Sequence, residues 1–506
     1  MRIPASTRIT VQLLLLFILA GCSAGKKNYS PDKKFGPKQL QADFDLYRKI
    51  METRHPGLYW YTSKPAMDKA FAEGRAKLND SLTETAFRNI LSLVNTRIGC
   101  GHTSIRSSKA YEQYIDSLKN PPRFPLYLKV WNDTAVVVQD LNKKDTALTR
   151  GTLIESFDNR PLRQLLDTLY QYIPADGNNA IAKDQQLSNG ASFGNWYTTV
   201  FGKNDSLKIG YRHTGGPLQY TFLQFYKPDT TAKTKDSAPK AAPQKSRDEK
   251  LGEIRSLKID TVRNFAVMDL GSFSPHLDLQ SFFRQSFKAL RKRKIKELIV
   301  DLRTNGGGAV HNANVFTRYL VKRPYKLGDS LLTLNKTARY NRYLKKDKLA
   351  LWALGFFTHR KNDGYYHFSY YERHRFKPKK TLHYDGSIYL LTGGFSFSAT
   401  TMVVHTLKGQ ENVTVVGEPT GGAAYGNSAF MIPDVLLPHT RVRFRLPIYR
   451  FVMDKKVPHD GKGILPDIYA GPSVDAIRLG RDYKMEKAMD LILEKRKDAQ
   501  SDQQSN

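Results

Sequence analysis

Cysteine is nearly absent from this sequence: the 506 residues include 2 cysteines, Cys22 and Cys100. Cys22 lies at the end of an N-terminal targeting segment, so Cys100 alone remains for the folded part, and one cysteine cannot form an intrachain disulfide. The same scarcity excludes a CxxC metal site. The fold therefore rests on its hydrophobic core, for which 40% apolar residues and 11% aromatic residues are sufficient.

The sequence also lacks an apolar run long enough to span a bilayer permanently. Its N-terminal run, Val11–Ala20, follows Arg2 and Arg8 and ends in the tetrapeptide LAGC at Cys22, so residues 1–22 are predicted to be a lipoprotein signal peptide with a lipobox. Cys22 would then carry the lipid anchor in the cell envelope. Ala24, rather than aspartate, at the second position after Cys22 predicts the outer membrane by analogy with bacterial lipoprotein sorting. An ordinary signal peptide followed by a chance cysteine is the alternative.

Acidic residues are few: 47 aspartates and glutamates face 80 lysines and arginines, which gives a formal net charge of +33. The basic residues are spread along the chain without a nucleic-acid-binding motif, so no nucleic-acid partner is expected. A basic, solvated surface is the favoured interpretation, and attraction to anionic envelope surfaces or acidic peptides is the alternative. A basic surface protein that binds nucleic acid or glycans is a third hypothesis, and it predicts binding with a steep salt dependence.

Composition and periodicity divide the chain into segments. The alternation of strands and helices toward the C-terminus predicts an α/β domain with a parallel sheet. The predicted segments are a tether at 23–37, an N-terminal helical domain at 38–110, a PDZ-like β-rich domain at 111–225, a polar linker at 226–255, an α/β core at 256–480 and a polar C-terminal tail at 481–506. Within the tail, residues 484–506 are expected to form a polar helix and tail.

Two glycine-rich stretches follow apolar strands of the predicted core. IVDLRTNGGG, residues 299–308, ends in three glycines whose amides could stabilise an oxyanion at the carboxyl end of the sheet. GGFSFSATT, residues 393–401, places Ser398 at a helix start, where the helix dipole favours developing negative charge. The alternative for the second stretch is a plain helix cap by Ser396 or Ser398.

A histidine and an aspartate complete the candidate constellation. His102, in the glycine-rich turn RIGCGHTSI, could act as a general base, and the neighbouring Thr103 could help to hold its ring. Asp460, in VPHDGKGILPDI, could orient that histidine, with His459 as a rival orienting group. Cys100 is expected to be a small buried residue rather than a nucleophile.

The motifs HPGLYWY, GHTSI, DLRTNGGG, FSFSATT, VVGEPTGG and DGKGILPDI occur in this order along the chain. In that order they resemble the C-terminal processing (tail-specific) serine peptidases, in the branch related to the tricorn core and the retinoid-binding-protein repeats. The resemblance implies a crotonase-like (ClpP-like) α/β peptidase core with an N-terminal helical bundle and a PDZ-like module. It also implies Ser398 as the nucleophile, and Ala399 with Gly307 or Gly308 as the oxyanion hole.

The resemblance also selects the base. The tail-specific branch places a lysine at the end of its G-E-x-T-x-G-K run, and here that position is Ala423, which cannot take a proton. The tricorn-like branch uses a histidine, which corresponds to His102, and an acidic partner, which corresponds to Asp460 in place of glutamate. The predicted protein is thus a lipid-anchored envelope serine endopeptidase that acts on peptides or proteins without a metal or cofactor. The alternative is a weak or inactive member of the fold that binds peptides, glycans or lipids.

Three further features have structural or undecided roles. Glu418 in VVGEPTGG is expected to hold its turn, and Asp301 and Arg303 are expected to be structural partners at a strand end. The aromatic stretch from Tyr340 to Tyr371 either lines a substrate groove or forms a surface subdomain that packs on the core.

Overall fold

The computed structural model describes residues 29–142, 146–228, 245–345 and 348–504. The predicted signal peptide, the lipid site at Cys22 and the first part of the tether lie outside these ranges. Within them, no helix combines the length and the apolar character needed to cross a bilayer.

The N-terminal part is helical, as predicted. Its first helix ends at Arg54, directly before the sequence His55-Pro56-Gly57, and Thr83 caps the third helix by accepting a hydrogen bond from the Ala86 amide (3.2 Å). The helices are Pro37–Arg54, Lys64–Ala76, Glu84–Thr96 and Lys109–Ser117, and the short strands are Lys34–Phe35, Leu82–Thr83 and Ile105–Arg106.

The β-rich part forms an antiparallel sheet around its own apolar cluster. The predicted strand, turn, strand and helix between residues 150 and 172 are confirmed by the elements found there. The strands are Leu126–Trp131, Thr134–Asp140, Leu153–Phe157, Arg160–Pro161, Ser206–Arg212 and Gln219–Gln224, and the helices are Leu162–Tyr170, Ala180–Leu187 and Ser192–Phe201.

The C-terminal part contains the predicted parallel sheet. Its strands, in spatial order, are Arg255–Asp260, Phe265–Leu270, Glu297–Asp301, Ser387–Thr392, Val413–Gly417 and Ile468–Tyr469, and the first of these pairs antiparallel to the second. The helices are Arg247–Gly252, Leu279–Lys292, Val310–Leu320, Ala399–Leu407, Val474–Leu479 and Tyr483–Gln504. Since five neighbouring strands run parallel, the loops that follow them lie at one edge of the sheet, where open α/β sheets bind ligands.

A second sheet is formed by residues between 330 and 452. Its strands, in spatial order, are His359–Arg360, Tyr366–His367, Ser330–Thr333, Tyr449–Val452 and Gly426–Ala429. The same part of the chain contains helices Lys348–Phe356 and Ser369–Arg373 and the 3₁₀ turn Asn341–Tyr343, while the 3₁₀ turn Pro275–Leu277 precedes helix Leu279–Lys292 of the parallel-sheet region. Strands Asp434–Leu436 and Arg443–Arg445 form a third, small sheet with Ile105–Arg106 of the N-terminal part. The N-terminal helices and residues 327–453 share one apolar cluster, so the helical part is packed on the core.

Two predicted segment boundaries differ from the structure. The predicted linker 226–255 contains helix Arg247–Gly252 within its described residues, and its last residue begins the first strand of the parallel sheet. The predicted polar tail 481–506 contains a helix, Tyr483–Gln504, whose Ala488 and Ile492 are buried against the sheet. Its polar composition hid the few apolar residues that pack.

Candidate functional site

Ser398 has an unusual backbone conformation directly before helix Ala399–Leu407. Its φ of 58° and ψ of −122° lie in a region that residues with a side chain seldom adopt, and its side chain makes no capping hydrogen bond to the helix. Such strain costs about 1–3 kcal/mol and is concentrated at functional sites. Ser398 is therefore not the plain helix cap considered above.

Ser396, the other candidate serine, has a structural role. It is fully buried, its hydroxyl donates to the carbonyl of Leu302 (2.9 Å), and it accepts from the amide of Gly393 (3.1 Å). These two bonds tie the loop after strand Ser387–Thr392 to the loop after strand Glu297–Asp301, and they leave the Ser396 hydroxyl no freedom to attack a substrate.

The structure places Ser398 and His102 on the wall of one cavity of ≈ 590 Å³, together with Gly306, Gly307 and Gly308. The histidine reaches this position because strand Ile105–Arg106 pairs with strand Arg443–Arg445. The amide of Arg445 also donates to the carbonyl of Ser104 (2.9 Å). The docking of the N-terminal part onto the core thus brings His102 to the same cavity as Ser398.

The His102 ring is buried and stacks on Phe397, with ring centroids 4.5 Å apart and an interplanar angle of 31°. Neither ring nitrogen has a hydrogen-bond partner among the groups that the structure describes. Burial lowers the pKa of His102 to about 3, and the positive charge of Arg445 lowers it further in the same direction. The imidazole is therefore neutral and has an unpaired ring nitrogen, but its hydrogen bond to Ser398 is not formed in this conformation.

The glycine triplet abuts Ser398. A Cβ atom on Gly307 would lie 2.8 Å from the Ser398 Cβ and 2.9 Å from the Ala399 nitrogen, and its φ of +98° also requires glycine. The Gly307 amide donates to the Asn305 side chain (2.9 Å). Within the described part of the chain, the amides of Gly308 and Ala399 have no acceptor, so these two are the donors available to an oxyanion.

A buried carboxylate that the sequence analysis missed lies beside His102. The side chain of Asp176 accepts hydrogen bonds from the amides of Gly101 (2.9 Å) and Ala423 (3.3 Å), and burial raises its pKa to about 6. A carboxylate oxygen of Asp176, a ring nitrogen of His102 and the sulfur of Cys100 all lie within 4.8 Å of one another. Asp176 follows Pro174 and Ala175 in the stretch PADGNNA, where an aspartate before glycine is typical of any surface turn, so the pattern alone did not single it out.

Asp460, the predicted acidic partner of His102, does not lie in this cavity. Its side chain is exposed and accepts from the Lys462 amide (2.9 Å). It lines a separate cavity of ≈ 710 Å³ with Trp60 and Tyr61. The His459 ring packs against those two aromatic rings, at centroid distances of 4.7 Å and 4.6 Å. Neither Asp460 nor its rival His459 thus orients His102 in this structure.

The backbone of the DGKG run nevertheless supports the site from behind. A Cβ atom on Gly461 would lie 2.7 Å from the Gly177 Cα and 3.1 Å from the Asp176 carbonyl oxygen. The run therefore packs directly against the loop that carries Asp176, and its close approach explains a glycine at 461.

Cys100 is buried and free, as expected. Burial raises the pKa of its thiol to about 12, and its sulfur lies 3.8 Å from the Ser428 carbonyl oxygen. Cys100, His102 and Asp176 are the group of described residues that could surround a metal ion. Because metal binding needs a thiolate, the raised thiol pKa disfavours that use.

Other predicted partners are found in structural roles. Glu418 forms a buried ion pair with Lys484 (2.6 Å), and Arg303 pairs with Asp301 and Asp482. Thr103 does not hold the His102 ring, because its hydroxyl is bonded to His55 Nε2 (2.8 Å).

A second, smaller pocket of ≈ 260 Å³ opens on the other side of Ser398. Most of its lining residues are apolar, although His311 and Asn427 also line it: the apolar residues include Val310, Leu327, Leu331, Tyr371, Met402, Phe430, Ile432 and Phe451. Ser398 thus lines both this apolar pocket and the cavity that holds His102.

His55 provides a pH-dependent contribution to stability near this site. Its ring is buried, Nδ1 accepts from the Gly57 amide (3.1 Å), and burial lowers its pKa to about 3, against 6.5 for a free histidine. The unfolded chain takes up a proton below about pH 6.5 and the folded chain does not. The stability that this histidine contributes is therefore complete above pH 6.5 and is lost as the pH falls toward 3.

We expect the free energy of unfolding to fall between pH 7 and pH 5, by up to about 1.4 kcal/mol per pH unit from His55. In His55→Gln this fall should be smaller, which urea unfolding at the two pH values would measure. The variant also loses ring contacts, which lowers its stability at every pH. The quantity to compare between the two chains is therefore the difference between their free energies of unfolding at pH 7 and at pH 5. If the free energy of unfolding of His55→Gln falls as much between pH 7 and pH 5 as that of wild type does, His55 is not the source of this pH dependence.

Residues 264–470 match the model of a family described as Peptidase family S41. No curated protein matches the chain. Among solved structures, mature CPAF complexed with lactacystin is similar with a TM-score of 0.62 at 14% identity, over 90% of this chain and 97% of that chain. The photosystem II D1 C-terminal processing protease gives a TM-score of 0.40 at 13% identity, over 88% and 98%. A lipoprotein from Streptococcus agalactiae gives 0.38 at 13% identity, over 90% and 97%. The first of these shows a shared fold.

Proposed function

We propose that this chain, whose residues 264–470 match the model of peptidase family S41, is a serine-type peptidase and a lipid-anchored endopeptidase of a bacterial envelope. In this proposal Ser398 is the nucleophile and His102 the general base. The observation that carries it is the shared cavity: two residues from opposite ends of the chain meet there, beside free backbone amides. Asp176 takes the supporting role that the sequence assigned to Asp460.

The proposed reaction begins with rotation of the neutral His102 ring toward Ser398, because catalytic hydrogen bonds are often formed only when substrate is bound. His102 then takes the hydroxyl proton as the oxygen attacks a peptide carbonyl. The amides of Ala399 and Gly308 receive the oxyanion, while Gly307 keeps the loop close to the serine. The carboxylate of Asp176 stabilises the imidazolium that forms.

The apolar pocket beside Ser398 supports a peptide substrate with an apolar side chain next to the scissile bond. The β-rich part, residues 111–225, is proposed to be a PDZ-like module that presents the substrate, and the core is proposed to be crotonase-like. Anchoring through Cys22 and an outer-membrane location rest on the targeting segment alone.

One observation favours a second candidate function, a binding protein on a peptidase fold. His102 has no hydrogen-bond partner among the described groups, and the Gly307 amide is occupied by Asn305. A fluorophosphonate probe separates the two functions, because it labels only an activated serine. We expect labelling of the wild-type chain and none of Ser398→Ala; an unlabelled, folded wild-type chain would favour the binding protein.

We expect Asp176→Asn to lower kcat/KM by about 10³- to 10⁴-fold, as loss of a carboxylate behind a catalytic histidine does elsewhere. Asp460→Asn is the matched control, and it should stay within a few-fold of wild type because its side chain faces solvent. Steady-state cleavage of a peptide with an apolar side chain, together with a thermal unfolding scan of each variant, provides the comparison. The reverse order of effects would restore Asp460 as the partner of His102.

A further inference from the structure

Helix Lys348–Phe356 has no role in the site, yet it exposes large apolar side chains. Leu349 is 76% exposed, Trp352 is 64% exposed and Phe356 is 62% exposed, and Phe357 directly after the helix is 64% exposed. Soluble proteins seldom expose several large apolar residues side by side, and when they do, the patch usually contacts a partner or a membrane.

The exposed residues form one stripe. Leu349, Trp352 and Phe356 follow each other at intervals of three and four residues, which places them on one face of the helix. The opposite face carries Leu351 and Leu354, which pack against the apolar cluster shared with the N-terminal helices. The helix is therefore held on the protein by one apolar face, and its other apolar face contacts solvent.

Basic residues flank the stripe in the sequence. Residues 336–361 contain eight lysines and arginines against one acidic residue, Asp347, which lies outside the described residues. They include six exposed basic residues that make no ion pair with another described residue: Lys336, Arg339, Arg342, Lys345, Lys348 and Arg360. These six residues form a basic collar, of which Lys336 contacts the helix itself by donating to the Gly355 carbonyl oxygen (2.5 Å).

We propose that the stripe docks on an anionic phospholipid bilayer surface, with Trp352 and its neighbours in the interface and the basic collar on the headgroups. A short apolar face bordered by lysine and arginine, with a tryptophan at its centre, suits that position. A second copy of this chain fits less well, because it would bring two basic collars together. The proposal goes beyond the peptidase function and does not depend on the lipid anchor.

Docking at this face would also fix on which side of the site the membrane lies relative to the pocket beside Ser398. Phe357 contacts Phe368, with ring centroids 6.4 Å apart, and Phe368 contacts Phe430 at 5.9 Å. Phe430 lines the apolar pocket. A chain of aromatic contacts thus connects the membrane-facing stripe with the pocket, so bound membranes would lie on that side of the site.

The test uses the chain from residue 23 onward, which contains every described residue and lacks Cys22. We expect it to pellet with vesicles of equal parts phosphatidylcholine and phosphatidylglycerol, and far less with phosphatidylcholine alone. The double variant Trp352→Glu, Phe356→Glu should bind the mixed vesicles at least about ten-fold more weakly than wild type. Phe222→Glu, which changes a 69% exposed aromatic residue on the edge strand Gln219–Gln224, is the matched control and should bind as wild type does.

Equal vesicle binding by wild type and the double variant would overturn the proposal, and so would equal binding to both kinds of vesicle. Light scattering without vesicles tests the alternative that a second copy of the chain binds the stripe. If wild type is a dimer and the double variant is a monomer, the stripe is a dimer interface and the membrane proposal is wrong. Unchanged thermal unfolding midpoints show that each variant is folded, and none of these readouts requires peptidase activity.

Discussion

Ser398→Ala is expected to lower kcat/KM by several orders of magnitude while leaving the fold intact. The hydroxyl is half-buried on the cavity wall and makes no capping bond, so its removal costs little stability. Without the proposed nucleophile, only substrate binding and the proposed oxyanion donors of Ala399 and Gly308 remain to assist hydrolysis. Single-turnover and steady-state cleavage of one peptide by the two chains would measure the loss.

The matched control is Ser396→Ala, two residues earlier in the same loop. It removes a fully buried hydroxyl that bonds to Leu302 and Gly393, so we expect a loss of about 1–3 kcal/mol of stability. Its activity below the unfolding transition should stay close to wild type. The two serines would exchange roles in the proposal if Ser396→Ala were inactive and folded while Ser398→Ala kept its activity.

Local patterns predicted the fold better than they predicted the site. Apolar runs and glycine-rich loops gave the parallel sheet and the position of Ser398, because those signals lie within a few residues of the element they specify. His102 was predicted from a resemblance of motifs. Its meeting with Ser398 depends on the pairing of strand Ile105–Arg106 with Arg443–Arg445, which no local pattern encodes.

The sequence was not sufficient to predict which carboxylate lies beside His102. Asp460 belongs to a recognisable motif, but its backbone turns so that Gly461 packs on the loop of Asp176 and its own side chain faces solvent. Asp176 lies beside His102 only because Gly101 and Ala423, far apart in sequence, donate their amides to it. Burial and hydrogen bonding of this kind are properties of the tertiary structure.

The C-terminal helix was predicted from the sequence, but its packing against the core was not. Helix Tyr483–Gln504 is polar along most of its length, yet Lys484 is buried and reaches the end of the parallel sheet. Its ammonium donates to Glu418 (2.6 Å) and to the Thr392 carbonyl oxygen (2.9 Å), while Thr392 donates to the Glu418 carbonyl oxygen (2.8 Å). The loop that Glu418 begins continues to Gly422, where an added Cβ would lie 3.2 Å from the Ser398 nitrogen.

We therefore expect Lys484→Met to lower the free energy of unfolding by about 3–5 kcal/mol, because it leaves the Glu418 carboxylate buried without a counter-charge. Arg481→Ala near the start of the same helix is the matched control: its pair with Glu486 is exposed, and its loss should leave the free energy of unfolding close to that of wild type. Urea unfolding at one pH would measure both changes.

The double variant Lys484→Met, Glu418→Gln distinguishes a buried ion pair from simple packing. Removing the charge on both sides also removes the cost of the unpaired carboxylate, so most of the lost stability should return. If Lys484→Met alone costs no more than Arg481→Ala, then Glu418 is reached by solvent when its partner is absent. In that case the Lys484–Glu418 pair would add little to stability, and helix Tyr483–Gln504 would not be the element that holds the loop behind Ser398 in place.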